Sequence, residues 1–365
     1  MKVNFVDLQR QTKILYPALI KEINGVLERA DFIQGKAVEE FEQQFAQFCD
    51  KKYCVALNSG TDALEFALRA YGISSGEVIT APNSYFSSAM IISKVGATPV
   101  FVDVDEKSFN INVKLLEKSI TKKTKAIIPV HLCGQAADLD PIYALAKKHK
   151  LVVIEDACQA HGAEYKGKRV PFGETAAFSF YPGKNLGCFG DGGALVTDNQ
   201  QVADMTRLLR NDGSKIKYHH ELIGSKSRLD TIQAVILKEK LKHLADWNAL
   251  RQKHAKRYDE LLKGVVETPT VMPYGKPVYH LYMIQVDDRE ELQKFLADKG
   301  ISTVIHYPIP IHLQPAYTSL GYGEGSFPVT ERLAQRILSL PMFPELTEEE
   351  QVYVADAIKE FVTKR

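Results

Sequence analysis

The sequence predicts an α/β protein in which a mostly parallel, seven-stranded sheet lies between helices and is followed by a smaller C-terminal α+β unit. Three observations carry this. Between about Lys52 and Thr197, short apolar runs alternate with helical patterns, the mark of strand and helix units feeding one sheet. From Ala203 to Glu260 the pattern turns helical, with almost no breaker over a long stretch. Beyond it, strand and helix patterns mix again, and 365 residues exceed the roughly 100–200 of one ordinary domain.

Taken in order, CVALN, EVITAP, TPVFVDV, KAIIPVHL, LVVIED, AAFSFY and GALVTD read as the seven strands. Near-continuous apolar runs of this kind suit strands buried on both faces. TDALEFALRAYG spaces its apolar residues for one helical face, and DPIYALAKKHK ends in basic residues that suit a helix C-terminus. The segment SRLDTIQAVILKEKLKHLADWNALRQKHAKRYDELLKG is the expected bridge between units. VYHLYMIQVDD, REELQKFLADKG, ISTVIHYP and EEEQVYVADAIKEFVTKR then build the second unit. The expected division is residues 1–250 and 251–365. No internal repeat or flexible linker interrupts the pattern.

Composition narrows the partners. Lys and Arg total 46 against 45 Asp and Glu, so no broad positive field exists to attract nucleic acid or an anionic bilayer. No run approaches the ~18 apolar residues of a membrane span. MKVNFVDLQRQ places Asp7 and Arg10 where a secretory signal would be apolar, so a cytoplasmic protein is expected. The five cysteines, Cys49, Cys54, Cys133, Cys158 and Cys188, form no C-x-x-C pair and suit reduced thiols rather than disulfides or zinc. The basic stretch KLKHLADWNALRQKHAKR reads as a solvated helical face.

Three segments carry chemistry. In NSGTDAL, Asn58 to Leu64, a strand ends in small residues and a helix begins; free N–H groups beside Gly60, with the Ser59 and Thr61 hydroxyls, suit a phosphate, although an ordinary N-cap reads the same way. In LVVIEDACQAHGA, an apolar strand delivers Glu155 and Asp156 to its carboxyl end, where α/β sheets bind ligands. A carboxylate there needs a cation or several donors, and a helix-capping role is the plain alternative. In AFSFYPGKNLGCFGDGGALVT, Lys184 sits in a glycine-rich loop after a strand; it is either solvated or desolvated into a nucleophilic amine. A phosphate cradle, an acidic strand end and a lysine in this order meet the needs of pyridoxal 5'-phosphate.

On NSGTDAL, GATPVFVDVD, VHLCGQAADLD, IEDACQAHGA, FSFYPGKNLG, GDGGALVT and IHYPIPIHLQPAY, the chain resembles the DegT/DnrJ/StrS nucleotide-sugar aminotransferases over nearly its whole length. The resemblance implies fold type I, the aspartate aminotransferase-like fold. It implies that Lys184 holds the cofactor as a Schiff base and shuttles the proton, and that Asp156 partners the pyridine nitrogen. Gln159 matches the side chain near the ring hydroxyl, Gly60, Thr61 and Ser179 the phosphate site, and Tyr85 the ring stacked on the cofactor face. The family commonly reads G-x-N-x-R where this chain has Gly224, Ser225, Lys226, Ser227 and Arg228, so Lys226 takes the place of the amide that reaches the neighbouring subunit's phosphate.

By the same resemblance His306 and Tyr307 border the sugar pocket. His306 and His312 lack a third nearby donor, so no metal site is expected, and His131 and His161 are expected to be packing histidines. The implied reaction is transamination through pyridoxamine phosphate, from an amino acid, usually L-glutamate, to a keto-sugar linked to dTDP or UDP. HYPIPIHLQPAY favours C3 over C4 by resemblance. The implied setting is deoxyamino-sugar or surface-polysaccharide synthesis such as lipopolysaccharide O-antigen, by a homodimer with shared sites. The family's dehydratase branch, which carries histidine at the lysine position, and a non-catalytic regulatory member are the competing readings.

Overall fold

The computed structural model describes residues 1–364. One sheet crosses the first unit, built from β1 (Tyr53–Leu57), β2 (Glu77–Thr80), β3 (Thr98–Phe101), β4 (Thr124–Ile127), β5, β6 (Thr175–Ser179) and β7 (Gly193–Thr197). β5 runs as two pieces: Val152–Val153 ladders with β4, and Glu155–Asp156 with β6. The spatial order is β3, β2, β4, β5, β6, β7, β1. β7 is antiparallel to both neighbours and every other pair is parallel.

The surrounding helices are α1 (Leu8–Arg29), α2 (Lys36–Phe48), α3 (Gly60–Ala70), α4 (Ser87–Lys94), α5 (Leu139–His149), α6 (Gln200–Arg210), α7 (Thr231–Leu241) and α8 (Leu244–Leu261). Both sheet faces are buried. In β1, Cys54 and Ala56 enter one apolar cluster while Val55 and Leu57 enter the other, the period of two that a pleated strand imposes. α2 brings Phe41 and Phe45 edge-to-face onto Phe178 and Phe180 in the first cluster; α3 and α6 bring Leu64, Leu68, Val202 and Leu209 into the second. Aromatic pairs in this geometry add about 1 kcal/mol each beyond their buried area.

The second unit pairs β8 (Tyr282–Gln285) with β9 (Ile337–Leu340), antiparallel, against α9 (Arg289–Asp298), α10 (Pro328–Arg336) and α11 (Glu348–Thr363). Tyr282, Ile284, Leu292, Leu296, Leu338, Leu340, Val354 and Ile358 form its core. Val3 joins that core through a parallel bridge to Ile301. The residue 250/251 division falls inside α8, whose Leu244 packs in the first unit and whose Ala255 and Tyr258 pack in the second. No helix among the described residues is long and apolar enough to cross a membrane.

The helical run expected from Ala203 to Glu260 breaks between α6 and α7. Asp212 and Gly213 both take positive φ, 56° and 72°, and turn the chain into a short hairpin of Ser214–Ile216 and His219–His220. Glycine is required at 213, since a Cβ there would lie 1.8 Å from the Leu222 carbonyl oxygen.

β5 places two carboxylates side by side, and alternation separates their fates. Glu155 is fully buried and accepts from His131 Nε2 (2.9 Å), the Tyr143 hydroxyl (2.7 Å) and the N–H groups of Phe172 (3.1 Å) and Gly173 (2.6 Å). Because the Ala137 N–H donates to His131 Nδ1, the ring hydrogen sits on Nε2 and points at Glu155. His131 is therefore a packing residue. Burial, the largest effect, pushes the Glu155 carboxyl up, but the His131 bond and field with the Gly173 and Tyr143 bonds bring it below the usual 4.5. A carboxyl lowered by folding stabilises the fold above pH 4.5, and that stability is lost as pH falls through the native value. Glu155→Gln should cost about 3 kcal/mol near neutral pH in urea denaturation. The gap from the parent protein should shrink as pH drops below 4.5; a gap that stays constant with pH would contradict the assignment.

Candidate active site

The carboxyl ends of β1, β5 and β6 open onto one cleft. After β1 the chain turns through Ser59, which is fully extended (φ −159°, ψ 161°), and α3 begins at Gly60. The Ser59 Oγ caps the helix by accepting from Asp62 N (3.1 Å), leaving the Gly60 and Thr61 N–H groups ahead of the first intrahelical bond. Two glycines make this approach possible. A Cβ on Gly193 of β7 would stand 2.2 Å from the Ser59 carbonyl carbon, and one on Gly60 would stand 2.7 Å from Cys158 Sγ and 2.8 Å from Ser179 Cβ. Gly60, Cys158 and Ser179 therefore meet at one point. Thr61 Oγ1 donates to Ser87 Oγ (3.0 Å), which brings the starts of α3 and α4 together.

Asp156, at the end of β5, is buried and accepts from Ser88 Oγ at 2.8 Å and from Cys158 N at 3.2 Å. Gln159 is buried beside it: its Oε1 accepts from Cys133 N (2.8 Å) and its Nε2 donates to the Tyr307 hydroxyl (3.3 Å). Gln159 thus ties the first unit to the loop that follows Ile301. Burial pushes the Tyr307 hydroxyl above its usual value, helped by the fields of Cys133 and Asp156. Tyr85 is 60% exposed, with its ring centroid 5.9 Å from that of Tyr307.

Lys184 follows β6 in the glycine-rich loop and is half-buried. Burial lowers the pKa of its amine, while the fields of Cys158, Asp156 and Cys133 pull it back toward the charged form. The next residue, Asn185, is buried and donates to Asn248 Oδ1 (2.9 Å) and the Val278 carbonyl (3.0 Å), which pins this loop to α8 and the second unit. His306 sits over Phe5 with ring centroids 5.7 Å apart and bonds Ser339 Oγ through Nδ1 (2.9 Å). Burial, then the field of Lys184, lowers its pKa to about 4, so it is a neutral ring at physiological pH. His161 packs against Phe178 and Phe180, and the same two causes hold it at about 3.

The structure brings Gly60, Thr61, Ser179, Asp156, Gln159, Lys184, Tyr85, His306 and Tyr307 around this cleft. Lys226 stays outside it. Ser227 turns inward, donating to Asp62 Oδ2 (2.7 Å) and accepting from Asn58 N (3.2 Å), and the alternation of the chain turns Lys226 to solvent. Two further participants escaped the sequence reading. Ser88 lies one helical turn after Tyr85 in APNSYFSSA, a spacing that could have flagged it. His280, 3.4 Å from Lys184 Nζ, arrives from the other unit, and no local pattern announces such a contact.

The family model of the DegT/DnrJ/EryC1/StrS aminotransferase family matches residues 14–359. The chain is 46% identical to a pleiotropic regulatory protein of Geobacillus stearothermophilus, over 99% of both chains. It is 44% identical to the dTDP-3-amino-3,4,6-trideoxy-alpha-D-glucose transaminase of Streptomyces venezuelae, over 100% of this chain and 97% of that one. Its fold matches the crystal structure of S. venezuelae DesV in complex with a ketimine intermediate, with a TM-score of 0.97 at 44% identity, covering 99% and 98% of the two chains.

The close approach at Gly60 yields a direct test of the site's packing. Gly60→Ala should destabilise the protein by about 1–3 kcal/mol in urea denaturation, as overpacked cores do. Adding Cys158→Ala removes the nearer obstacle and should recover part of that loss. Equal stability of Gly60→Ala and the parent would contradict the approach described.

Proposed function

The chain belongs to the DegT/DnrJ/EryC1/StrS aminotransferase family, and we propose that it transfers an amino group from L-glutamate to the C3 keto group of a dTDP- or UDP-linked sugar. The observation that carries the reading is one cleft holding a desolvated amine, Lys184, in the field of a buried carboxylate, Asp156, beside the open start of α3. These residues fit pyridoxal 5'-phosphate, the cofactor of such aminotransferases. Only a glycine at 60 lets the α3 amides approach, and the hydroxyls of Thr61 and Ser179 add donors suited to a phosphate dianion.

When bound, pyridoxal phosphate supplies an electrophilic carbon and a ring that withdraws electrons from the donor's α-carbon. Lys184 would hold the cofactor through that carbon, and its Nζ, as a free amine, would take a proton from the donor carbon and deliver it on the cofactor side, with the reverse transfer toward the keto-sugar. Asp156, oriented by Ser88 and the Cys158 amide, keeps the ring nitrogen protonated. Gln159 would meet the ring hydroxyl and Tyr85 would cover the ring face. His306, uncharged, and Tyr307 contact the sugar, and the Gln159 to Tyr307 bond couples that contact to the cofactor end.

The proposed assembly is a homodimer in the cytoplasm. Its support is the hairpin after α6, where Ile216, Tyr218 and Ile223 are 70%, 85% and 88% exposed beside Lys226. In a second copy this segment would carry Lys226 to the phosphate of the partner site. The chain divides into units of residues 1–250 and 251–365, with α8 contributing to both cores and Val3 packing with the second. The product is assigned to deoxyamino-sugar or surface-polysaccharide synthesis. A regulatory role is favoured by the names of two relatives, the pleiotropic regulatory protein of Geobacillus stearothermophilus and an erythromycin biosynthesis sensory transduction protein of Saccharopolyspora erythraea, 45% identical over 98% of this chain, and the dehydratase reading is opposed by Lys184 itself.

Purified protein should take up pyridoxal phosphate and turn yellow, change spectrum with glutamate alone, and aminate a dTDP- or UDP-linked 3-keto sugar, read by mass. Protein that takes up no cofactor would overturn the reading. Lys184→Ala should lose turnover by about a thousandfold or more. Asp156→Asn should keep cofactor binding but lose about a hundredfold in rate; full activity in either variant removes that residue from the site.

A further inference from the structure

Lys184 has one close side-chain neighbour across the cleft that the function above does not use. His280 Nε2 lies 3.4 Å from Lys184 Nζ. The contact is built rather than incidental. Val278 N donates to the Gly134 carbonyl (2.9 Å) and Leu281 N to the Cys133 carbonyl (3.4 Å), and a Cβ at Gly134 would stand 3.0 Å from His280 N. Gly134 therefore sets how closely the His280 backbone seats against the first unit. On the far side of the ring, Nδ1 is buried and has no hydrogen-bond partner.

That orphaned atom selects the tautomer. With the hydrogen on Nδ1, a buried N–H would go unpaired, which folded proteins rarely tolerate; with the hydrogen on Nε2, only a lone pair is left over. The second arrangement aims an N–H at the amine. We propose that His280 is a positioning residue for Lys184, its Nε2–H donating to the lone pair of Nζ and keeping that side chain parked in the cleft as a neutral base. The inference rests on the role given to Lys184 above. A four-carbon chain freed from the cofactor has many rotamers, and one directed bond confines it near the reacting carbon.

At Lys184 burial favours the neutral amine and the surrounding fields work against it. Asp156, Cys158 and Cys133 act on Lys184 from the first unit, and Arg251 acts on His280 from α8. His161 and His306 are the other imidazoles near the amine, and burial followed by the Lys184 field holds both uncharged. Burial likewise drives His280 well below the usual histidine value, with Lys184 and Arg251 next in effect.

Competitive acetylation of the full-length, cofactor-free protein with acetic anhydride across a pH series, with the Lys184 peptide read by mass spectrometry, measures the amine's own titration. In the parent protein Lys184 should react at lower pH than exposed lysines such as Lys36. His280→Leu should move the Lys184 midpoint up by about one pH unit, a tenfold change in acid constant. His280→Gln, whose amide can still donate, should lie nearer the parent. An unchanged or lowered midpoint in His280→Leu, or Gln behaving like Leu, overturns the proposal.

The nitrogen-15 spectrum of histidine-labelled parent protein gives a second reading that needs no variant at 280. A His280 signal of the Nε2–H tautomer that shifts in Lys184→Met supports the pairing, and the Nδ1–H tautomer overturns it. Protein that shows the midpoint shift yet takes up no pyridoxal phosphate would keep the pairing and overturn the catalytic reading instead.

Discussion

An amine withdrawn from water next to a single buried carboxylate is the constraint around which the rest of this chain is arranged. Neither group would be stable there alone, since a bare charge in a dry site shifts its pKa or unfolds the site. Four segments of the first unit hold them in place. β5 ends at Asp156, the start of α4 supplies Ser88, β6 ends just before Lys184, and Asn185 fastens the lysine's loop to α8 and the second unit. The same edge receives the start of α3, where two glycines let the chain pass close against Cys158, Ser179 and β7.

Much of this could be read from residues in a row. The seven strands alternate with helices because a sheet buried on both faces demands apolar runs, and that pattern carries the mostly parallel sense of the sheet, though not its strand order or the antiparallel placing of β7. Asp156, Ser179, Gly60 and Thr61 lie at strand ends or a helix start, and Gln159 and Lys184 in the loops that follow their strands, positions fixed by local chain geometry. What the row of residues did not reveal are contacts made across the fold. His280 meets Lys184 over 96 positions of chain, and Tyr307 meets Gln159 over 148. The hairpin between α6 and α7 was missed for a different reason: two positive-φ residues, Asp212 and Gly213, outweighed a helix-compatible composition.

The paired carboxylates of β5 show how one strand separates support from chemistry. Glu155 exhausts its oxygens on four donors and has nothing left to offer a ligand, while Asp156 accepts only two bonds, one on each oxygen, and keeps acceptor capacity to spare. The full set of bonds at Glu155 fixes the strand end on which Asp156 depends. Hydrogen-bond saturation, rather than residue type, distinguishes the two.

The bridge between Val3 and Ile301 makes the second unit discontinuous in sequence. A ribosome releases its first strand-like residues long before their partners exist, so that patch of apolar surface waits uncovered until nearly three hundred further residues have emerged. Cutting the gene at residue 251 would yield a fragment whose core lacks one wall. Anyone appending a bulky fusion ahead of Met1 would be loading that seam.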